Sequence, residues 1–163
     1  MIIVTGGAGF IGSALIWALN EKGFDDIIIV DQLGHTKQWQ NLVSKNFDSF
    51  IHKNNFLTWL EKKGGSTAIS AIFHFGACSS TSESNADYLM DNNLNYSIEL
   101  YNYARSHGIP FFYASSAATY GAGEQGYKDN LETTKKLRPI NPYGYSKHLF
   151  DQWVLRQKKH PPF

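Results

Sequence analysis

The sequence is poor in cysteine, in net charge and in long apolar runs, and each shortage excludes a class of protein. Cys78 is the single cysteine among 163 residues, so the chain has no internal disulfide and a reducing compartment is expected. The formal net charge of +1 gives no broad field to attract nucleic acid or an anionic membrane. We therefore predict that neither nucleic acid nor a membrane is a partner.

The apolar residues are dispersed along the chain. No apolar run approaches the roughly 20 residues that a membrane helix requires. Met1 leads directly into the apolar residues 2–4 and then into glycines, without the basic and apolar regions of a secretion signal. A cytoplasmic protein is therefore expected. Hydrophobic residues at 42% and charged residues at 18% are typical of a soluble globular protein, and the length predicts one domain over residues 1–163.

The histidines and the cysteine lack the spacing of a metal site. No two of the six histidines have a metal-ligand spacing, so ordinary polar or core roles are expected and no metal is predicted. Cys78 has no Cys-x-x-Cys partner. We expect it to be a small buried residue beside a cofactor and not a nucleophile.

Short β-branched runs alternate with longer segments of helical period, a pattern typical of βαβ units. It predicts an α/β fold with a Rossmann-like, doubly wound parallel sheet. The predicted strands are residues 1–5, 27–31, 68–75 and 111–115, and the predicted helices are residues 11–22, 56–63, 85–107 and 145–159. For residues 41–51 we predict a helix followed by a short strand, and for residues 121–142 a loop.

A glycine-rich turn joins the first predicted strand to the first predicted helix. Gly6, Gly9 and Gly12 allow a tight turn, close approach of a pyrophosphate and close packing of the helix on the strand. The helix N-terminus adds amide donors and a positive dipole. Asp31 ends the next strand, where dinucleotide-binding proteins place an acidic residue for the ribose. The combination predicts a dinucleotide site.

The residues alone leave open which dinucleotide binds. Asp31 is suited to accept a hydrogen bond from a ribose 2′-hydroxyl, which favours NAD. His35, Lys37 and Lys53 follow it and could instead neutralise the 2′-phosphate of NADP, or they could be ordinary surface charges.

A second group of residues points to proton transfer. Tyr143 and Lys147 are four residues apart, which places them on one helical face, whereas Tyr145 lies on another. Ser115 and Ser116 end a predicted strand at the carboxyl edge, where open α/β sheets bind ligands. A phenol with a pKa of about 10 is a poor base at neutral pH, but a nearby ammonium favours its phenolate form. A serine hydroxyl can hold the reacting oxygen.

Taken together, these residues resemble the extended short-chain dehydrogenase/reductase family. The resemblance is carried by residues 5–12, 115–121 and Tyr143-x-x-x-Lys147. More particular segments are residues 72–81, 90–93 and 113–121, which are most similar to the epimerases that invert C6 of ADP-heptose. The resemblance implies a nucleotide-sugar substrate, ADP-heptose, that is oxidised to a ketone and reduced again on its opposite face.

The resemblance also implies the cofactor and the site residues. NADP is the expected cofactor, with NAD tolerated. Tyr143 would act as acid/base, Ser116 would bind the reacting oxygen, and Lys147 would tune Tyr143 and contact the nicotinamide ribose. The cofactor contacts would be Gly6, Gly9, Phe10, Ile11, Gly12, Asp31, Gln32, Lys37, Lys53, Phe75, Gly76, Ala77, Cys78, Ser79, Asn92 and Lys147. A homo-oligomer is expected for the full-length protein.

The chain departs from the family pattern in two places. Gln32 and the short Gly34-His35 turn differ from the usual loop, which weakens the 2′-phosphate assignment. The chain ends at Phe163, where such enzymes continue for about as many residues again. We therefore expect the substrate domain and a second acid/base residue to lie beyond it, and residues 111–115 to form an exposed apolar edge.

Two alternatives stay open at this point. One is another enzyme of the same family, a hexose 4-epimerase or a dehydratase. A dehydratase should carry an acidic pair beside the serine, and Ala117 and Ala118 stand there instead. The other alternative is a chain that binds dinucleotide without catalysis.

Overall fold

The fold is built on a five-stranded parallel sheet, seen in a computed structural model that describes residues 1–162 apart from the side chain of Ser66. The strands are β1 (Ile2–Thr5), β2 (Ile27–Asp31), β3 (Ser49–His52), β4 (Ala71–His74) and β5 (Phe111–Tyr113). Their order is β3-β2-β1-β4-β5. The direction of winding therefore reverses between β1 and β4, as in Rossmann-like sheets, which confirms the predicted fold class.

The chain divides into two compact units. The first, called here the sheet unit, contains Met1–Gly76, Ser106–Tyr113 and the residues from Pro161 onward. The second, the helical unit, contains Ala77–Arg105 and Ala114–His160.

The core of the sheet unit follows from the apolar strands. In β2, the residues from Ile27 to Val30 are all buried, as expected for a strand covered on both faces. Val4, Ile16, Ile27 and Ile29 form one buried cluster, with Ile2 and Phe73 among the residues packed around it. Burial of this apolar surface is the main stabilising contribution to the sheet unit.

Two helices and two short 3₁₀ segments complete the sheet unit. They are α1 (Phe10–Asn20), α2 (Lys53–Lys63) and the 3₁₀ segments Lys37–Leu42 and Gly64–Ser66. The His52 ring accepts a hydrogen bond from the backbone N–H of Asn54 and so caps α2 at its start. Helix α2 ends at Lys63, the predicted last residue, and Gly64 is its C-cap.

The helical unit contains the remaining helices. They are α3 (Ala86–Leu89), α4 (Tyr96–His107), α5 (Leu131–Thr134) and α6 (Pro142–Leu155), with a π-helical segment at Met90–Asn95 and a 3₁₀ segment at Ala117–Tyr120. The helix predicted over residues 85–107 is thus confirmed as a continuous helical run, but six of its residues form a π-helix. Such π segments are often found at functional sites.

Several predicted bounds differ by a few residues, as at the starts of α2 and β4, and three differences change the description of the chain. The helix predicted to open residues 41–51 is wrong, because a 3₁₀ segment ends at Leu42 and Ser44 has a positive φ of 62°. The strand that follows it is confirmed as β3. The predicted loop 121–142 contains the short helix α5, which Asn130 caps by accepting from the N–H of Thr133.

The third difference concerns the helix that carries Tyr143. Helix α6 begins at Pro142, three residues before the predicted start, and ends at Leu155. Asn141 caps it by accepting a hydrogen bond from Gly144 N–H at 2.7 Å, and proline suits the first helical position because its missing N–H needs no partner there. Tyr143 and Lys147 therefore both lie within the helix.

Strand β5 is one of the two outer strands of the sheet within residues 1–162, and β3 is the other. The apolar edge predicted at β5 is partly covered. Phe111 is buried and its N–H donates to the carbonyl oxygen of Pro162, and Phe112 is 38% exposed and stacks on Phe73. None of the helices between residues 1 and 162 combines the length and the apolar character that a bilayer crossing requires.

Candidate functional site

The glycine-rich turn leaves no space for side chains at two of its positions. A Cβ on Gly6, which has a φ of +69°, would lie 2.6 Å from the nitrogen of Gly76, and a Cβ on Gly12 would collide with the carbonyl oxygen of Gly6. Gly9 is the N-cap of α1 and has no side chain to occupy the first helical amides. The helix N-terminus thus has the form that phosphate groups require.

Asp31 is held by the backbone amides around the turn. Its Oδ2 accepts from the N–H of Ala8 at 2.8 Å, and its Oδ1 accepts from the N–H of Gln32 at 2.7 Å. The side-chain amide of Asn41 donates to the carbonyl oxygen of Ala8 at 2.8 Å. Both sides of Ala8 in the turn are therefore fixed by side chains from outside it.

The other predicted cofactor residues of the sheet unit differ in exposure. Phe10 and Ile11 are exposed at the start of α1, and Gln32 and Lys37 are exposed after β2. Lys53 and Phe75 are half-buried. The exposed Lys37 opens the 3₁₀ segment Lys37–Leu42, whose N-cap is Thr36.

The end of β4 is tied to the glycine-rich turn. The N–H of Gly76 donates to Thr5 Oγ1 at 3.0 Å, and this hydroxyl also hydrogen-bonds with His74 Nδ1 at 2.7 Å. Gly76 lies so close to the backbone of Gly6 that a Cβ at Gly76 would be 3.0 Å from the Gly6 nitrogen. The carboxyl ends of β1 and β4 are thereby joined by the Thr5 hydroxyl and by the close approach of Gly76 to Gly6.

In the helical unit, a buried asparagine orders the segment from Ala77 to Ser79. Asn93 accepts from the N–H of Cys78 at 2.8 Å and donates to its carbonyl oxygen at 3.0 Å. Asn93 also donates to Ser146 Oγ, which in turn donates to the carbonyl oxygen of Tyr143. The predicted cofactor residue Asn92 donates to Asn93 Oδ1 at 2.9 Å. The π-helical segment thus contacts both Cys78 and the start of α6.

The two serines at positions 115 and 116 have different partners. Ser115 Oγ donates to Asp151 Oδ2 at 2.5 Å. Ser116 caps the 3₁₀ segment Ala117–Tyr120, with its Oγ accepting from the N–H of Ala118 at 3.2 Å.

Helix α6 packs closely on the segment that follows Ser116. A Cβ on Gly144 would lie 2.5 Å from the carbonyl oxygen of Ala118, so a glycine is required there. Tyr143 and Lys147 are buried on this helix, whereas Tyr145 is 49% exposed. The structure therefore places the predicted tyrosine and lysine together on the packed face and the competing tyrosine on another.

Burial sets the electrostatics of Lys147. The side chain is almost completely buried, which lowers its pKa, while the Asp151 carboxylate one helical turn later opposes that shift. Asp151 is buried as well and accepts from Ser115. It is the negative charge that favours the protonated form of the lysine.

Four residues contribute to this arrangement although their spacing predicts no role for them: Asn41, Asn93, Gly144 and Asp151. Each is defined by a contact to a residue distant in sequence or to a neighbouring element, which spacing does not reveal. Within the described residues, no group of three or more histidine, cysteine, aspartate or glutamate side chains is arranged to bind a metal.

Known proteins resemble this chain in sequence and in fold. A Fusobacterium nucleatum protein named ADP-L-glycero-D-manno-heptose-6-epimerase is 50% identical over 163 residues, which is 99% of this chain and 49% of the relative. The solved Helicobacter pylori protein of that name aligns with a TM-score of 0.75 at 30% identity, over 94% of this chain and 50% of the other. This chain spans about half the length of the curated relatives it matches.

A solved structure of a different epimerase is also similar. The Brucella ovis UDP-glucose 4-epimerase, in complex with NAD, aligns with a TM-score of 0.72 at 26% identity, over 94% of this chain and 46% of the other. Residues 2–160 match the model of one family, so this chain belongs to the NAD dependent epimerase/dehydratase family.

Proposed function

We propose that this chain is the dinucleotide-binding half of a nucleotide-sugar epimerase, and that its substrate is ADP-heptose, inverted at C6. The observation that carries the proposal is the buried pair of Tyr143 and Lys147 on α6, packed through Gly144 against the segment that Ser116 caps. The names of the Fusobacterium nucleatum and Helicobacter pylori relatives support the choice of sugar.

The glycine-rich turn fits a dinucleotide. Gly6 and Gly12 occupy positions where a Cβ would collide with backbone. The N-cap residue Gly9 has no side chain, so no side-chain cap binds the first amides of α1. Backbone that approaches so closely, at a helix N-terminus, suits a pyrophosphate. A nicotinamide dinucleotide bound there would supply a reversible hydride acceptor for the sugar carbon.

The residues of the helical unit would handle the proton. Tyr143, as phenolate, would take the hydroxyl proton when the C6 alcohol becomes a ketone, and it would return a proton when the ketone is reduced. Ser116 would hold the reacting oxygen by a hydrogen bond. The Lys147 ammonium would favour the phenolate form. Reduction on the opposite face would require a second acid/base group.

We propose NADP as the preferred dinucleotide. Both carboxylate oxygens of Asp31 already accept backbone N–H groups, so Asp31 serves as an anchor of the turn. Lys37 is exposed at the start of the 3₁₀ segment that Asn41 joins to the turn, and its ammonium suits a 2′-phosphate. The membership of an NAD-dependent family and the NAD-bound neighbour keep NAD as the competing ligand.

The experiment is a comparison of two tyrosine variants. In a protein that carries this chain at the length of its curated relatives, ADP-D-glycero-D-manno-heptose should be converted to the C6 epimer with NADP, as measured by NMR of the sugar. Tyr143→Phe should keep dinucleotide binding and lose about a hundred- to ten-thousand-fold in rate. Tyr145→Phe, on the exposed face of the same helix, is the matched control and should be unaffected. Equal rates for the two variants would remove Tyr143 from the mechanism.

A hexose 4-epimerase is the second candidate, because the Brucella ovis neighbour acts on a UDP-hexose by its name. Conversion of UDP-glucose but not of ADP-heptose under the same conditions would favour it. Dinucleotide binding with no turnover of either sugar would favour a non-catalytic chain. The cytoplasmic location and the homo-oligomer stay predictions.

A further inference from the structure

Asn41 connects two segments of the sheet unit that are far apart in sequence. Its side-chain amide donates to the carbonyl oxygen of Ala8, 33 residues earlier, at 2.8 Å. Ala8 is buried inside the glycine-rich turn, and its N–H is already bound by Asp31. The carbonyl oxygen of Ala8 is thus bound by Asn41 from the 3₁₀ segment, and its N–H is bound by Asp31 from β2.

The same 3₁₀ segment carries the lysine proposed to bind the 2′-phosphate. Lys37 is its first residue and Asn41 is its fifth, and both Lys37 and Gln40 are exposed. Thr36 fixes the start of the segment by accepting from the N–H of Gln38 at 3.3 Å and by donating to the carbonyl oxygen of Leu33 at 2.9 Å. Asn41 fixes the other end of the segment to the turn.

We propose that Asn41 is a specificity-determining residue of the dinucleotide site: it holds the Lys37–Leu42 segment against the glycine-rich turn and thereby holds Lys37 in position for the 2′-phosphate of NADP. The inference rests on the proposed dinucleotide function. The Asn41 amide joins the Lys37–Leu42 segment to the glycine-rich turn at Ala8, the residue that Asp31 also binds. Asp31 acts from β2, whereas Asn41 acts from the segment of Lys37 itself.

The proposal predicts an effect that depends on the ligand. Without the Asn41 amide, the pyrophosphate would still meet the turn that Asp31 holds, so NAD binding should change by a factor of two or less. Binding of NADP also requires Lys37 to lie at a fixed position relative to the glycine-rich turn. The affinity for NADP should therefore fall about five- to tenfold, the effect of losing one ordinary hydrogen bond.

The experiment is a titration of wild type, Asn41→Ala, Lys37→Ala and the double variant with NADP and with NAD, by calorimetry. Lys37→Ala should weaken NADP binding. In the Lys37→Ala background, Asn41→Ala should lower the affinity for NADP by no more than it lowers the affinity for NAD. Gln40→Ala is the matched control, since Gln40 is exposed on the same segment, and it should bind both ligands as the wild type does. Asn41→Asp preserves shape but presents a carboxylate to the Ala8 carbonyl oxygen, and should lose NADP affinity at least as strongly as alanine.

The outcomes separate the two proposals. If the wild type binds neither dinucleotide, the proposed function itself is overturned. If the wild type binds NADP but Asn41→Ala weakens NADP and NAD equally, or weakens NADP equally with and without Lys37, Asn41 is only a structural residue and the inference is overturned. Thermal denaturation of each variant shows whether it is folded, and the aspartate variant gives a second, independent reading if alanine unfolds the protein.

Discussion

The backbone of Gly144 lies against the backbone of Ala118, with the position of a Cβ on Gly144 only 2.5 Å from the Ala118 carbonyl oxygen. This contact joins the first turn of α6, with Tyr143, to the 3₁₀ segment that Ser116 caps. A backbone oxygen cannot yield as a flexible side chain can. The approach of the two segments therefore depends on the absence of a side chain at position 144.

Gly144→Ala should force these segments apart. We expect a loss of about 1–3 kcal/mol in the free energy of unfolding, as for other overpacked sites, together with a lower rate in the sugar assay. Chemical denaturation measures the first quantity. Gly65→Ala is the control, because a Cβ there meets nothing within 4 Å and the backbone has no positive φ. Equal stability of the two variants would contradict the packing argument.

Asp31→Asn should disturb the turn even though the size of the side chain is unchanged. Asp31 accepts two backbone N–H groups, one on each oxygen, whereas an asparagine offers one oxygen and one NH₂. One backbone donor would then face another donor. We expect weaker binding of NADP and NAD alike, by roughly tenfold, measured by calorimetry. Asp25→Asn, an exposed aspartate before β2, should leave both affinities unchanged.

Asn93→Ala should remove the side chain that satisfies both backbone groups of Cys78. Asn93 is completely buried and Cys78 is half-buried, so the Cys78 N–H and carbonyl would lose a partner where water has only partial access. We expect a cost of about 2–4 kcal/mol in unfolding free energy and faster hydrogen exchange at the Cys78 amide. Asn95→Ala, an exposed position in the same π-helical segment, should cost far less. Unchanged exchange at Cys78 would show that another group holds this backbone.

Asp151→Asn should lower the pKa of Lys147 further. Burial already depresses this pKa and the Asp151 charge opposes the depression, so removal of that charge leaves the ammonium without its nearby carboxylate. Lys147 would then lose its proton at a lower pH. If activity needs the ammonium, the alkaline limb of the pH–activity profile should shift to lower pH. NMR titration of isotope-labelled lysine, assigned with Lys147→Arg, measures the shift. Asp129→Asn, an exposed aspartate, is the control.

The same depressed pKa has a consequence for stability. Between the folded pKa of Lys147 and its unfolded value near 10.5, the unfolded chain binds a proton that the folded chain does not. The contribution of Lys147 to the free energy of unfolding therefore increases as the pH rises between these two values. Denaturation midpoints of the wild type and Lys147→Met, compared across the alkaline range, should diverge with this sign. A divergence of the opposite sign would show that Lys147 is better stabilised as the ammonium than its burial indicates.

Much of the chain could be interpreted without the structure. The spacing of Gly6, Gly9 and Gly12 predicted the turn, because glycine is needed where a side chain would collide with nearby backbone. Tyr143 and Lys147 were placed on one face because the helical period alone relates residues four apart. The sheet followed from apolar runs such as residues 27–30, which are buried as predicted.

Other features had no sequence signal. The helix predicted after residue 41 is absent because Leu42 ends a 3₁₀ segment tied to Ala8 by Asn41, a contact over 33 residues. The start of α6, by contrast, has a signal in Asn141 and Pro142, and the predicted start is three residues late because it follows the helical period alone.

The order of the elements, the glycine-rich turn and the tyrosine–lysine pair could be predicted from the sequence, because each depends on interactions between residues close along the chain. The contacts of Asp31 with Ala8, of Asn93 with Cys78 and of Ser115 with Asp151 are visible only in the folded structure. The physical reason is that burial, and the hydrogen bonds that buried polar groups then require, arise only when distant segments are packed together.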